Sequence, residues 1–214
     1  MRRLLIGFSL LVLSGCSSPD AEIVEKSRTE PSSAPGKATV LVYRCDHSRH
    51  FVVEIRPGSA FVFFPGINRK LPALGGSQYG DGQVKLDLTG SVSLTTAVET
   101  LTNCINDRRS AIWEEAKLRG VDFRAVGNEP GWVMELSGNH ANLRLDYGTR
   151  VIDVELSSPV VDDSERKTRF KSPEIEVMIE GSRCSDVMSG ESFEAVVEVK
   201  VGKRLYKGCG RALH

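Results

Sequence analysis

Five cysteines, four histidines and a scatter of carboxylates are the side chains of this 214-residue chain with the most chemistry to offer. The stretch "CDHSRH" sets His47 and His50 just behind Cys45, a local density that invites metal ligation. A thiolate committed to a disulfide cannot ligate, and no second cysteine or histidine pair follows at zinc-site spacing, so the stretch reads as a polar hairpin turn. His140, in "SGNHAN", and the terminal His214 stand apart from it. Nucleophilic hydrolysis lacks its usual elbow, because no G-x-S-x-G occurs, and nothing resembles a glycine-rich phosphate cradle. Asp162, Asp163 and Glu165 crowd into "VVDDSERK", whose mixed charges mark a solvated loop. The expectation is a protein that is not an enzyme and holds no cofactor and no metal. The formal net charge is zero, so no bulk field points to nucleic acid as a partner.

The first cysteine has a different use. Arg2 and Arg3 precede "LLIGFSLLVL", too short for a permanent membrane span but of the length of a secretory h-region. The following "LSGC", Leu13 to Cys16, resembles the bacterial lipobox, which implies a leader over residues 1–15 and acylation of the Cys16 thiol. Ser17, where an aspartate would retain the protein, favours the outer membrane by the same resemblance. Acyl chains such as palmitate contribute roughly 0.8 kcal/mol per buried methylene, so the membrane is contacted through the anchor alone. Residues 16–38 are rich in Ser, Pro and charge and predict a flexible tether. The expected location is the outer membrane, lipid-anchored and facing the periplasm.

Export makes disulfides permissible. Cys45, Cys104, Cys184 and Cys209 allow three pairings. Two lie in the first half of the folded region and two in its last thirty-one residues, an arrangement that favours Cys45 with Cys104 and Cys184 with Cys209, one staple per module. Short alternating runs fill both halves: "TVLVYRC", "HFVVEIRP", "AFVFFPG" and "VKLDLTGSVSL", then "NLRLDYG", "RVIDVEL", "EIEVMIE" and "EAVVEVKV". In the fourth, Val84, Leu86 and Leu88 share one face; Ile175, Val177 and Ile179 form an inward row in the seventh. Between the halves, "NDRRSAIWEEAKLRG" predicts a helix capped by Asp107 and ended by Gly120, with Ile112 and Ala116 on one face and Trp113 turned partly aside, and with Ile112 or Trp113 packing it onto a sheet as a stiff connector. The fold class expected is mainly β: two small antiparallel barrels or sandwiches, over 39–105 and 121–214, joined by a short helix over 106–120.

With that layout, "LGGSQYGDG" at 74–82 gains a context. Tyr43 and Cys45, Leu71, the framework of Gly76, Tyr79, Asp81 and Gly82, and Cys104 together resemble the membrane-bound inhibitor of c-type lysozyme family. The resemblance covers about residues 39 to 105. It implies a small antiparallel barrel that inserts this loop into a lysozyme cleft. In that family a serine on the loop and a lysine in a tryptophan-x-lysine-glycine motif meet the two catalytic carboxylates. Here Gly75 stands at the serine position, and Asp87, Leu88, Thr89 and Gly90 replace the motif, which puts Thr89 at the lysine position. Ser77 offers a hydroxyl two residues on, and Lys85 lies two pleats from Thr89, about 13 Å. The inhibitory-loop candidates are therefore Gly75, Gly76, Ser77, Tyr79 and Thr89, and the implied partner is a c-type lysozyme or related muramidase.

The second half, with "FRAVGNEPGW", "RCSDVMSG" and "YKGCG", resembles a bacterial envelope family that brings no activity with it. Trp132 in the NEPGW turn is either an aromatic anchor at a binding edge or, as such residues more often are, part of a barrel mouth or core. Asp186 and Ser189 bracket a turn, where capping of local N–H groups explains them. The alternative function is a non-inhibitory envelope structural or ligand-binding lipoprotein, in which this half contacts another envelope protein.

Overall fold

Alternating apolar runs separated by glycine turns fold here into antiparallel sheet throughout, in a computed structural model that describes residues 38–214. The expected leader, the expected lipidation site Cys16 and all of the expected tether but Ala38 lie outside the described residues. The fold is mainly β, with an eight-stranded closed barrel and a curled sheet joined by one short helix.

The barrel comprises β1 (Thr39–Arg44), β2 (His50–Arg56), β3 (Ser59–Phe64), β4 (Ile67–Gly75), β5 (Gln78–Gly80), β6 (Lys85–Asp87), β7 (Val92–Thr95) and β8 (Thr100–Asn106). Each strand pairs with the next, and β8 pairs back to β1 through Tyr43 and Arg44. Alternation sends one row of each strand inward. Phe51, Val53, Ala60, Val62, Leu71, Leu86 and Leu94 are wholly buried there. The Cys45–Cys104 disulfide ties the end of β1 to β8, where the barrel closes.

"VKLDLTGSVSL", expected as one strand, is a hairpin instead. Gly90 at φ +62° turns the chain, so that Leu86 faces Leu94 and Asp87 faces Ser93 across β6 and β7. Val84, Leu86 and Leu94 still share the interior, which is why the alternation survives in the sequence. β4 carries Pro72, a residue that argues against a strand interior. The Ala73 N–H bonds the Gly58 carbonyl on the β3 side, so Pro72 faces β5, whose ladder covers only Ala73 and Gly75.

After β8 comes α1 (Arg108–Leu118). Asp107 caps it by accepting from the Ser110 N–H at 3.1 Å, and Gly120 at φ +83° follows its end. Of the two residues expected to pack it onto a sheet, Trp113 does so and Ile112 does not. Trp113 and Ala116 are buried, and Ile112 is half exposed. The guanidinium groups of Arg124 and Arg211 lie over the Trp113 indole, at 4.8 and 4.4 Å from the ring, and Phe193 packs beside it. A planar aromatic ring beside two guanidinium groups gains a cation–π attraction that a branched isoleucine cannot.

The curled sheet contains β9 (Phe123–Asn128), β10 (Gly131–Ser137), β11 (His140–Leu145), β12 (Arg150–Glu155), β13 (Val160–Asp162), β14 (Lys167–Lys171), β15 (Ile175–Glu180), β18 (Ala195–Val201) and β19 (Arg204–Ala212). Their order is β12-β11-β10-β9-β19-β18-β15-β14-β13, so β19 joins the first four strands to the rest. Curling wraps the sheet around Met134, Leu143, Leu145, Val177, Val197 and Tyr206. A separate ribbon, β16 (Cys184–Ser185) with β17 (Ser192–Phe193), is held to β19 by the Cys184–Cys209 disulfide. Both disulfides thus follow the favoured pairing. Ile175 and Val177 are buried and Ile179 packs against the same core, as their shared row predicts.

Candidate functional site

Residues 74–82 do not form one loop. Gly76 and Ser77, at φ +57° and +65°, are the two-residue tip of the β4–β5 hairpin, flanked by the Gly75–Gln78 pair. Two central residues at positive φ are what a type I′ turn requires, and its twist matches the strands it joins. Leu74 bulges out of the ladder just before the tip and is exposed. Tyr79 belongs to β5 and packs half-buried against the barrel core, so it supports the tip from beneath. The chain then turns again at Asp81 and Gly82. Asp81 accepts from the N–H groups of Gln83 and Val84 and pairs with Arg69, a capping role internal to the barrel.

Gly75, Gly76 and Ser77 are all exposed at the tip. The Ser77 carbonyl accepts from the Leu88 N–H at 3.1 Å, which fastens the tip to the segment carrying Thr89. Thr89 is therefore near the tip but outside any strand, and its hydroxyl is spent on Asp87. Asp87 also accepts from Gln78 Nε2 at 2.6 Å. The Thr89 hydroxyl first, then the Thr89 N–H and Gln78, hold the Asp87 carboxyl below the usual aspartate range, so a fixed negative charge sits beside the tip. Lys85 pairs opposite Gly80, at the end of β6 away from Gln78 and Asp87.

The second half brings its sequence motifs together. "NEPGW" is the β9–β10 turn, with a cis Glu129–Pro130 peptide. "CSDVMSG" begins with the ribbon strand β16 and runs through its loop. The Asn128 amide donates to the Asp186 carboxylate at 2.9 Å, joining the two segments across 58 residues. Asp186 also accepts from the N–H groups of Met188 and Ser189, and its carboxyl is held below the ordinary range by the Ser189 N–H first, with Asn128 and Met188 adding to it.

Trp132 is a core residue, 3% exposed, and its indole N–H donates to the Lys207 carbonyl. It lies flat on backbone: a Cβ at Gly127 would fall 2.0 Å from its Nε1, and one at Gly208 would fall 2.8 Å from its ring. The exposed aromatic beside the turn is Tyr147, which sequence reasoning passed over. Asp146, Tyr147 and Gly148 are all at positive φ. Asp146 is held there by Arg204 and the hydroxyl of Tyr206, the largest wholly buried side chain. The segment "DYG" thus turns Tyr147 outward across Gly131, where a Cβ would come within 2.7 Å of its ring. The only signal in the sequence was the closing glycine.

These residues line a largely apolar groove of about 570 Å³ between the NEPGW turn and Tyr147, with Arg144, Glu129 and Met188 at its sides. A second lobe of about 420 Å³ runs from the same turn over the Cys184–Cys209 disulfide. Grooves of this size with a few polar groups are where proteins hold ligands and partners. His47 and His50 lie at the β1–β2 turn, and among the described residues no three His, Cys, Asp or Glu side chains converge as metal ligands would. Among known proteins, no family model, no curated protein and no solved structure matches this chain.

Proposed function

We propose that the protein is a non-enzymatic binding protein of the bacterial envelope, anchored at the outer membrane through Cys16, that occupies the cleft of a c-type lysozyme or related muramidase with the β4–β5 hairpin tip. The observation that carries this reading is the tip itself: a two-residue turn, exposed and fastened by Leu88 to a disulfide-closed barrel. A rigid protrusion loses little entropy on insertion. A glycosidase cleft holds one protonated and one ionised carboxyl group. The Ser77 hydroxyl is suited to both, since it accepts from the first or donates to the second. Gly75 and Gly76 place no side chain between their amides and the cleft. Thr89 stands where the resembled family has its lysine, but its hydroxyl is engaged by Asp87.

Titration of the full chain against a c-type lysozyme, following binding heat and cell-wall lysis together, tests the proposal. One-to-one binding with loss of lysis is expected. Absence of binding at micromolar concentrations, with lysis unchanged, would overturn it.

Asp87 favours a second reading, a non-inhibitory envelope lipoprotein that binds through the groove of the curled sheet. Its carboxylate, kept ionised beside the tip, meets an acidic cleft with like charge. Under that reading lysozyme is not bound and the NEPGW groove is the working surface.

A further inference from the structure

The loop between β16 and β17 presents two adjacent apolar side chains to water, Val187 at 93% and Met188 at 73% exposure. Exposure of single apolar residues is ordinary, but this pair is held out by a built support. Asp186 accepts from Met188 N–H, Ser189 N–H and Asn128, while its own N–H and carbonyl bond Glu191 and Gly190. The loop is therefore a preorganised knob. Beside it lies the groove floored by Trp132 and flanked by the exposed ring of Tyr147. A knob and a hole of matching apolar character occupy one face.

The charges on that face have the same property. Arg144 and Glu129 both line the groove, both are exposed, and among the described residues neither forms an ion pair. Other charged groups nearby are satisfied: Lys207 pairs with Glu198, Asp146 with Arg204, and Asp186 with its three donors. One free cation and one free anion on a single patch are complementary to the same patch rotated by a two-fold axis.

We propose that this face is a self-association surface, in which a second copy of the chain inserts its Val187–Met188 knob towards the first copy's groove while Arg144 of each copy pairs with Glu129 of the other. The arrangement is isologous: each contact occurs twice, and the dimer closes without exposing a further copy of the patch. The barrel tip is not part of this surface, so the proposal is independent of lysozyme binding.

Sedimentation velocity of the full chain in density-matched detergent, over a concentration series reaching the micromolar range, reads the association directly. Wild type is expected to pass from monomer to dimer. Arg144→Glu alone and Glu129→Arg alone each place like charges across the axis and should weaken association roughly tenfold or more. The double reversal restores opposite charges and should recover it. Met188→Asp, at an exposed loop position, should abolish it, and circular dichroism of each variant verifies that the sheet is intact. A wild-type chain that stays monomeric overturns the proposal and leaves the groove to a ligand of another class. A dimer indifferent to both single reversals, or one that the double reversal fails to rescue, overturns it as well.

Discussion

Gly127 and Trp132 show how a single hydrogen atom in place of a methyl group shapes the curled sheet. The indole can lie against the backbone only because Gly127 and Gly208 carry no side chain. Gly127→Ala should therefore destabilise the chain by about 1–3 kcal/mol, read as a lower urea midpoint, although glycine-to-alanine in an unobstructed strand would be stabilising. Asp186 couples its loop to pH. Its carboxyl is depressed in the folded chain, so its contribution to stability is fully present above the ordinary aspartate pKa and is lost as pH falls through the lower, folded value. The protection factors of the Met188 and Ser189 amides, taken relative to their intrinsic exchange rates, should hold at neutral pH and fall as the solution is acidified below the usual aspartate range. Protection that is flat across that interval would mean that the Asn128 and backbone bonds do not hold the knob.

The helix and the hairpins show which features were readable at the scale of elements. The inward row of Ile175 and Val177, the Asp107 cap and the one-staple-per-module pairing of cysteines all follow from local pattern, and all are present. The face of α1 was not readable, because Ile112 and Trp113 are neighbours and the choice between them is made by Arg124 and Arg211, which arrive from β9 and β19. Likewise Gly90 splits one alternating run into two strands without disturbing its period, and Pro72 disguised β4. Trp113→Ala should cost about 3–5 kcal/mol, whereas Ile112→Ala should change the unfolding midpoint by less than about 0.5 kcal/mol in free energy. Equal effects would place the wrong face of the helix against the sheet. The groove was only half legible: its two motifs stood out in the sequence, but their meeting through Asn128 and Asp186, and the outward turn of Tyr147, depend on pairings far apart along the chain.

At the scale of the whole molecule, two disulfide-stapled β bodies present different surfaces, a narrow polar tip on the barrel and an apolar groove on the curled sheet. Under the proposed readings the tip would enter a cleft and the groove would take a second copy, so the two are separable by mutation. Gly76→Val imposes a branched side chain on a backbone at φ +57° and fills the space at the apex. It should abolish lysozyme inhibition while leaving sedimentation behaviour unchanged. Ser77→Gly keeps the turn and removes the hydroxyl, and should weaken inhibition without unfolding the hairpin. The most direct measurement is competition: the full chain is titrated into a c-type lysozyme whose cleft is already filled with a short oligosaccharide of N-acetylglucosamine. The sugar is expected to lower the apparent affinity of the chain in proportion to its occupancy of the cleft. Binding that the sugar does not affect, or no binding with the cleft empty, would contradict it.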